Sequence, residues 1–349
     1  MCQDLVRAKV ARMSEQRAKR PTIKQLAEHT GLSPAAVSYA LRGIQVSRET
    51  EARVRAAADE LGFRSDPIAR ALRGGKTNSV GMLVASLADL YTQELVAQVQ
   101  RELRAVGHQL LIADSDGDAA SEIPLALGLA DRRVDALIAI PIQPFDTRWQ
   151  EVSELVPLVA VGDRLEAAAT AGEVVIANDL GVQLMLEHLA ALGHTRIAVL
   201  SWRIGRAPLR RAEEAVEAQA ARLGIDVRLE PCEYSFNGSR PLARELLAAD
   251  DRPSAIFALS DSIALGAYAA CRELGLRIPH DVSIAGYDDH PVAQLLDPPL
   301  TSIRWATERV ARIAVKLALG AIEEVELERS TIVPPVLIER RSTGPAGVR

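Results

Sequence analysis

Aromatic residues make up only 3 % of this 349-residue chain, so its cores have to be built from Ala, Leu, Val and Ile rather than from rings. Its three cysteines, Cys2, Cys232 and Cys271, are too scattered for a metal site or an obvious disulfide framework. The six histidines show no metal-ligand spacing either, and no cofactor is expected. No apolar run approaches the ~20 residues that a membrane helix needs. The N-terminus, with Arg7, Lys9, Arg12, Arg17, Lys19 and Arg20, has no apolar stretch like that of a secretory signal. Together these absences point to the cytoplasm and away from membrane partners. No glycine loop of nucleotide type follows a strand, no Ser/His/Asp order stands out, and no 20–50 residue repeat is present.

What is present is an ordinary globular balance, 48 % apolar and 25 % charged, on a chain long enough for two or three substantial cores. The charge is uneven. Residues 1–76 carry 15 Lys and Arg against 8 Asp and Glu, a net +7, while the remainder carries 26 against 38, a net −12. A basic head on an acidic body suggests an anionic partner for the head, the alternative being a solvated charged tail.

Residues 1–20 read as a loose basic arm, within which Met13 is an alternative start. From Pro21 the pattern tightens. Ile23, Leu26 and Ala27 share one face of a short helix ending near His29, and Gly31 supplies a turn. Ser33 as N-cap and Pro34 as first helical residue open a second helix, buried through Val37, Ala40 and Leu41. A third helix is capped by Ser47, packs through Val54, Ala57 and Leu61 and ends at Gly62. Asp66, Pro67 and Gly74-Gly75 bracket a helix of under two turns, too short to persist alone in water. Beyond Lys76, apolar strands at 80–84, 110–113, 136–140 and 158–161 alternate with helical stretches. The rhythm restarts at 174–177, 197–200, 255–258 and 282–285, with helices ending near Leu192, Leu223, Leu274 and Leu319. Such strands mean parallel sheets covered on both faces, and two of them imply two lobes with a cleft at the strand ends.

A helix-turn-helix needs a small residue where its helices touch, a turn glycine and a buried branched residue in the second helix. Ala27, Gly31 and Val37 meet those needs inside the basic head, although helical hairpins without DNA partners show similar spacing. In the segment TIKQLAEHTGLSPAAVSYALRG the chain resembles the head of the lactose/galactose repressor (LacI-type) family of bacterial transcription regulators, and DPIARALRGGKTNSVGMLV resembles that family's hinge and first sensor strand. VDALIAIP, LAALGHTRIAVLS, FALSDSIALGAYAACRELGLRIPHDVSIAGYDD and PPLTSIR continue the resemblance in order, from Pro21 to about Arg341.

The resemblance implies an N-terminal all-α helix-turn-helix head (21–63) after the arm, a hinge helix and linker (64–76), and a periplasmic-binding-protein-like α/β sensor of two parallel-sheet lobes (77–341) with a tail (342–349). It implies a non-enzymatic, nucleoid-associated repressor working as a homodimer on palindromic double-stranded DNA. By position, Pro34, Ala35 and Tyr39 would read bases and Ser33 and Ser38 meet phosphates, with Thr22 and Ala36 completing the DNA-facing set. Pro34 and Ala35 replace commoner polar residues and offer only apolar contact, and Tyr39 offers one hydroxyl; plain helix filler is the alternative for the alanines. Leu72 would wedge into the minor groove at the operator centre, with Arg70 and Arg73 nearby, or else make an ordinary helix contact.

In parallel sheets ligands collect at the carboxyl ends of strands. Those ends carry Ser86, Asp89 and Tyr91, Asp114 and Asp116, Asp163 and Arg164, Trp202, Ser260 and Asp261, and Asp288. They suit a polar effector such as a sugar or a sugar derivative, although Asp and Ser also cap helices at such places. The resemblance favours Tyr91, Ser260, Asp288 and Trp305 as effector contacts. Two departures stand out: Ala212, beside Arg210 and Arg211, replaces an arginine of many sugar-sensing members, and Trp305 replaces a common glutamine, as a stacking face or as core. Two rivals remain on sequence alone: an enzyme using Asp288-Asp289 as a paired acid, and a transporter's solute-binding protein, against which the basic head argues.

Overall fold

The computed structural model describes residues 21–44, 46–63, 76–202, 211–233 and 235–347, with the side chains of Arg42 and Trp202 excepted. The expected arm, the hinge helix and the side chain of Trp202 therefore lie outside the described residues, as do Arg70, Leu72 and Arg73. The chain forms two compact units, divided after Thr77.

Among its described residues the first unit holds three helices, α1 (Ile23–Thr30), α2 (Pro34–Arg42) and α3 (Arg48–Leu61). Each starts and stops where its end chemistry dictates. Thr22 and Gln25 form a reciprocal capping box on α1, and Ser33 and Ser47 accept from the third helical N–H of α2 and α3, satisfying donors that a helix start leaves unpaired. Gly31, at φ 66°, ends α1 in the left-handed region that a side chain would resist. Leu26, Ala27, Val37, Ala40, Val54, Ala57 and Ala58 fill the space between the three helices.

The second unit contains two six-stranded sheets. The first orders its strands β11-β5-β4-β3-β1-β2, from β1 (Ser79–Val84), β2 (Gln109–Asp114), β3 (Ala136–Ala139), β4 (Leu158–Gly162), β5 (Gly172–Ile176) and β11 (Ser330–Val333). All its pairings are parallel. The second orders β12-β10-β9-β8-β6-β7, from β6 (Arg196–Trp202), β7 (Asp226–Cys232), β8 (Ala255–Ala258), β9 (Ser283–Asp288), β10 (Thr301–Arg304) and β12 (Val336–Ile338). Among the described residues only the β10–β12 pairing of this sheet is antiparallel.

Helices cover both faces of each sheet, which is why the central strands read as unbroken apolar runs. The first lobe carries α4 (Leu90–Ala105), α5 (Glu122–Asp131), α6 (Trp149–Leu155) and α11 (Thr307–Ile322). The second carries α7 (Asn178–Ala191), α8 (Arg211–Leu223), α9 (Phe236–Ala248) and α10 (Asp261–Leu274). The chain crosses between lobes three times, after β5, after β10 and after β11. Residues 342–346, expected as part of a tail, are stitched to the second lobe: Ser342 accepts from Ile284 N–H, and buried His194 Nε2 lies 3.0 Å from the Gly344 carbonyl.

Candidate functional site

In the head, the first turn of α2 is an outward-facing surface. Pro34 and Ala35 are exposed, Ala36 and Ser38 half-buried and Tyr39 40 % exposed, while Val37 and Ala40 between them are fully buried. One helical face therefore anchors α2, leaving the other available for a groove. Ser33 holds the Ala36 N–H at 3.2 Å and Thr22 the Gln25 N–H at 3.3 Å; both expected DNA-facing hydroxyls thus also cap helices. The structure brings Thr22, Ser33, Pro34, Ala35, Ala36, Ser38 and Tyr39 together on one small unit.

In the sensor, the carboxyl ends of the two sheets meet. Asp89, at the start of α4 in the first lobe, is fully buried. One of its oxygens accepts from the Thr92 N–H and hydroxyl, at 2.9 and 3.1 Å. The other accepts from two hydroxyls of the opposite lobe, Ser260 and Ser262, each at 2.9 Å. Ser262 in turn accepts from the Leu90 N–H at 3.0 Å. A single carboxylate thus sutures the start of α4 to the start of α10. Burial raises its pKa, and the hydroxyl and N–H donors hold the rise down.

Asp288 closes β9 at φ 106°, a conformation that side-chain-bearing residues seldom adopt. One of its oxygens is buried and has no hydrogen-bond partner, and so is the Tyr91 hydroxyl. Burial first, then the charges of Asp89 and Asp261, push Asp288 well above the usual carboxylate range, and burial with Asp288 and Asp89 raises the Tyr91 phenol above its own ordinary value. Asp261, which accepts from Ser302 at 2.7 Å and from the His290 N–H at 2.8 Å, is pushed up to about 7, chiefly by burial. Asp289 instead meets cations, with Arg304 and Arg340 each at 2.6 Å.

The structure therefore gathers Asp89, Tyr91, Ser260 and Asp288 into one interlobe cluster. The other sequence-derived positions divide. Ser86 is buried and accepts from the Ala88 N–H at 3.1 Å, and Asp114 holds the Leu87 N–H at 3.1 Å, so both shape the loop before α4. Asp163 is buried just beyond β4. Arg211 pairs at the surface with Glu166 of the other lobe, at 3.2 Å. Trp305, 3 % exposed, packs on Tyr287 with ring centroids 5.3 Å apart. Gly181 lies against the same pair, so close that a Cβ there would sit 2.6 Å from the Tyr287 hydroxyl. Trp305 thus sits in the core of the second lobe, with its ring against Tyr287. Sequence reasoning missed Ser262, whose only signal was its place two residues after an N-cap.

The molecule can also be set beside known proteins. A family model for a periplasmic binding protein-like domain matches residues 186–343. The ribose operon repressor of Escherichia coli (strain K12) is 29 % identical over 329 residues, covering 92 % of this chain and 99 % of the relative. The HTH-type transcriptional repressor PurR of Vibrio vulnificus is 28 % identical, covering 91 % and 97 %. A crystal structure of the lac repressor dimer bound to operator and the anti-inducer ONPF superposes with a TM-score of 0.82 at 25 % identity, covering 93 % of this chain and all of that one. An Enterococcus faecium LacI family regulator with bound ribose shares the fold, with a TM-score of 0.67 at 24 % identity over 76 % of this chain. Head, lobes and their order along the sequence all agree with these proteins: the chain is similar, along nearly its whole length, to repressors of the lactose/galactose (LacI-type) family of transcription regulators.

Proposed function

We propose that the protein is a sequence-specific DNA-binding repressor, acting as a homodimer in the cytoplasm on nucleoid DNA, whose operator affinity is set by a small polar metabolite held between the lobes. The observation that carries this reading is the match, along nearly the whole chain, to repressors, with a capped helix-turn-helix at one end and an interlobe polar cluster at the other. The first helix positions α2, whose exposed turn enters the major groove; Tyr39 donates to a base or phosphate, and Pro34 and Ala35 give apolar contact. Arg70, Leu72 and Arg73 serve the minor groove at the operator centre.

The effector is a sugar or a sugar derivative. Asp288 and Tyr91 present a buried acceptor and a buried donor without partners, which a ligand hydroxyl can satisfy together. A ligand that engages both lobes favours one lobe arrangement, and the resulting change in spacing of the two heads alters operator affinity. The dimer reading draws support from the second lobe. Leu295, 82 % exposed, and Phe236, 39 % exposed, border a depression of about 810 Å³ lined by Leu265, Tyr268 and Ile278 together with Arg272, Arg277 and Asp297, a mixed face suited to a second copy of the chain.

Selecting bound DNA from a random pool, with and without candidate metabolites, tests the reading. The expected result is a palindromic site whose recovery changes with one metabolite. Indifference to duplex DNA of every sequence at low ionic strength would overturn it.

A further inference from the structure

Asp89 and Asp288 come from opposite lobes and end in the same dry space, and the hydroxyl of Ser260 is within reach of both. That hydroxyl has one hydrogen, already given to Asp89 at 2.9 Å, and its oxygen accepts from the Ser262 N–H at 3.1 Å. One hydrogen cannot serve two carboxylates. Asp288 is left with a buried oxygen that no group donates to, an arrangement that costs more than a lost hydrogen bond if the oxygen is charged.

Beyond the Ser260 hydroxyl and the Asp261 N–H, the surrounding groups supply no compensation. From α4, Asp288 is faced by Asp89 and by the Tyr91 hydroxyl, which is itself near Glu94. From α10 it is faced by Asp261, an acid that also contributes its N–H. The next residue, Asp289, takes up Arg304 and Arg340. His290 gives its backbone N–H to Asp261, and its Nδ1 accepts from the Val292 N–H. Among the described residues no cation faces Asp288.

We infer that closing the lobes over an empty cleft takes up one proton, shared within the Asp89–Ser260–Asp288 cluster, so that the unliganded sensor is itself a pH-sensitive switch. With the lobes apart, water solvates both carboxylates and they ionise in the ordinary range. With the lobes together, Asp288 has to be neutral, consistent with burial and its acidic neighbours raising its pKa. The sign follows by linkage: closure is unhindered below the ordinary carboxylate range and increasingly opposed as pH rises through it toward the raised closed-lobe value. A hydroxyl-bearing ligand replaces the proton as donor, so ligand and proton compete for the same oxygen.

The inference takes from the proposed function only that the lobes move, and it is tested without DNA or effector. Full-length protein carrying 5-fluorotryptophan reports through Trp305, assigned by Trp305→Phe, because Tyr91 of the first lobe packs against the cluster that holds Trp305. In wild type the solvent-shielded Trp305 population is expected to rise at least about twofold between about pH 8 and about pH 5. Asp288→Asn should be shielded at both values. If that variant fails to fold, Asp89→Asn decides by the same readout, with a flattened pH response expected. A wild-type population that ignores pH, a variant as pH-responsive as wild type, or an Asp288→Asn protein open at both values overturns the inference. None of these outcomes touches the operator-binding reading.

Discussion

Replacing Leu26 by Ala should separate the two units functionally. Leu26 is fully buried at the meeting point of the three head helices, and truncating such a leucine costs about 2–5 kcal/mol, partly through the cavity left behind. At roughly 0.05–0.15 kcal/mol per residue, a head of this size holds only roughly 2–6 kcal/mol in total. A loss of about 3.5 from a mid-range head takes the folded-to-unfolded ratio from about a thousand to near one. Among the described residues the head and sensor cores share none, so the sensor's calorimetric transition should stay in place while operator affinity, measured by anisotropy, falls with the folded fraction. Saturating operator should restore part of the helical signal, since DNA binds only the folded head. An unchanged operator affinity would refute the reasoning, and so would a sensor transition that falls alongside the head. Tyr39→Phe is the control: its exposed position should leave stability within about 0.5 kcal/mol of wild type while operator affinity drops.

Leu72→Ala should lose specific affinity while keeping much of the salt-dependent nonspecific binding, and equal loss on all sequences would contradict a wedge at the operator centre. Leu295→Asp should give monomers by sedimentation and weaken binding to a palindromic site far more than to a half-site; a dimer that survives places the interface elsewhere. The buried Asp261 carboxyl, pushed up to about 7, lowers sensor stability as pH rises from the usual carboxylate range toward that value, because the unfolded chain ionises first. The melting-temperature difference between Asp261→Asn and wild type should therefore grow more positive from about pH 5 to about pH 8, and a difference independent of pH would count against that cause.

The head was legible because its determinants are local. The pairs Ser33–Pro34 and Ser47–Arg48, with Gly31 and Gly62, mark chain reversals that depend on neighbours within one turn; α2 and α3 begin, and α1 and α3 end, at those residues. Central strands such as 255–258 were legible for a different reason: burial on both faces leaves an unbroken apolar run, and β8 matches it residue for residue. The edges of the second sheet were not: β7, DVRLEPC, has no unbroken apolar run and carries Pro231, and β12 spans three residues, too short for any period to register. Strand ends pointed to Asp89, Ser260 and Asp288 as cleft residues, and the structure joins them. That Asp89 is held by hydroxyls 171 and 173 residues away depends on how two lobes meet, which no local pattern encodes. The placing of Trp305 in the core follows from its packing on Gly181 and Tyr287, again a long-range contact.

The three crossings between lobes have a consequence for synthesis. Neither lobe is a continuous stretch of chain, so neither is complete when its first residues leave the ribosome. β5 lacks its neighbour β11 until residue 333 has emerged, and α11, whose Val310, Ala314 and Val315 fill the first lobe's core, arrives only at residues 307–322. Throughout translation of the second lobe, the first therefore presents an open strand edge and an uncovered apolar groove. A nonsense mutation anywhere from residue 177 to 306 would release a product fixed in that condition, and such fragments are expected to be cleared or to aggregate rather than compete with the intact repressor for operator.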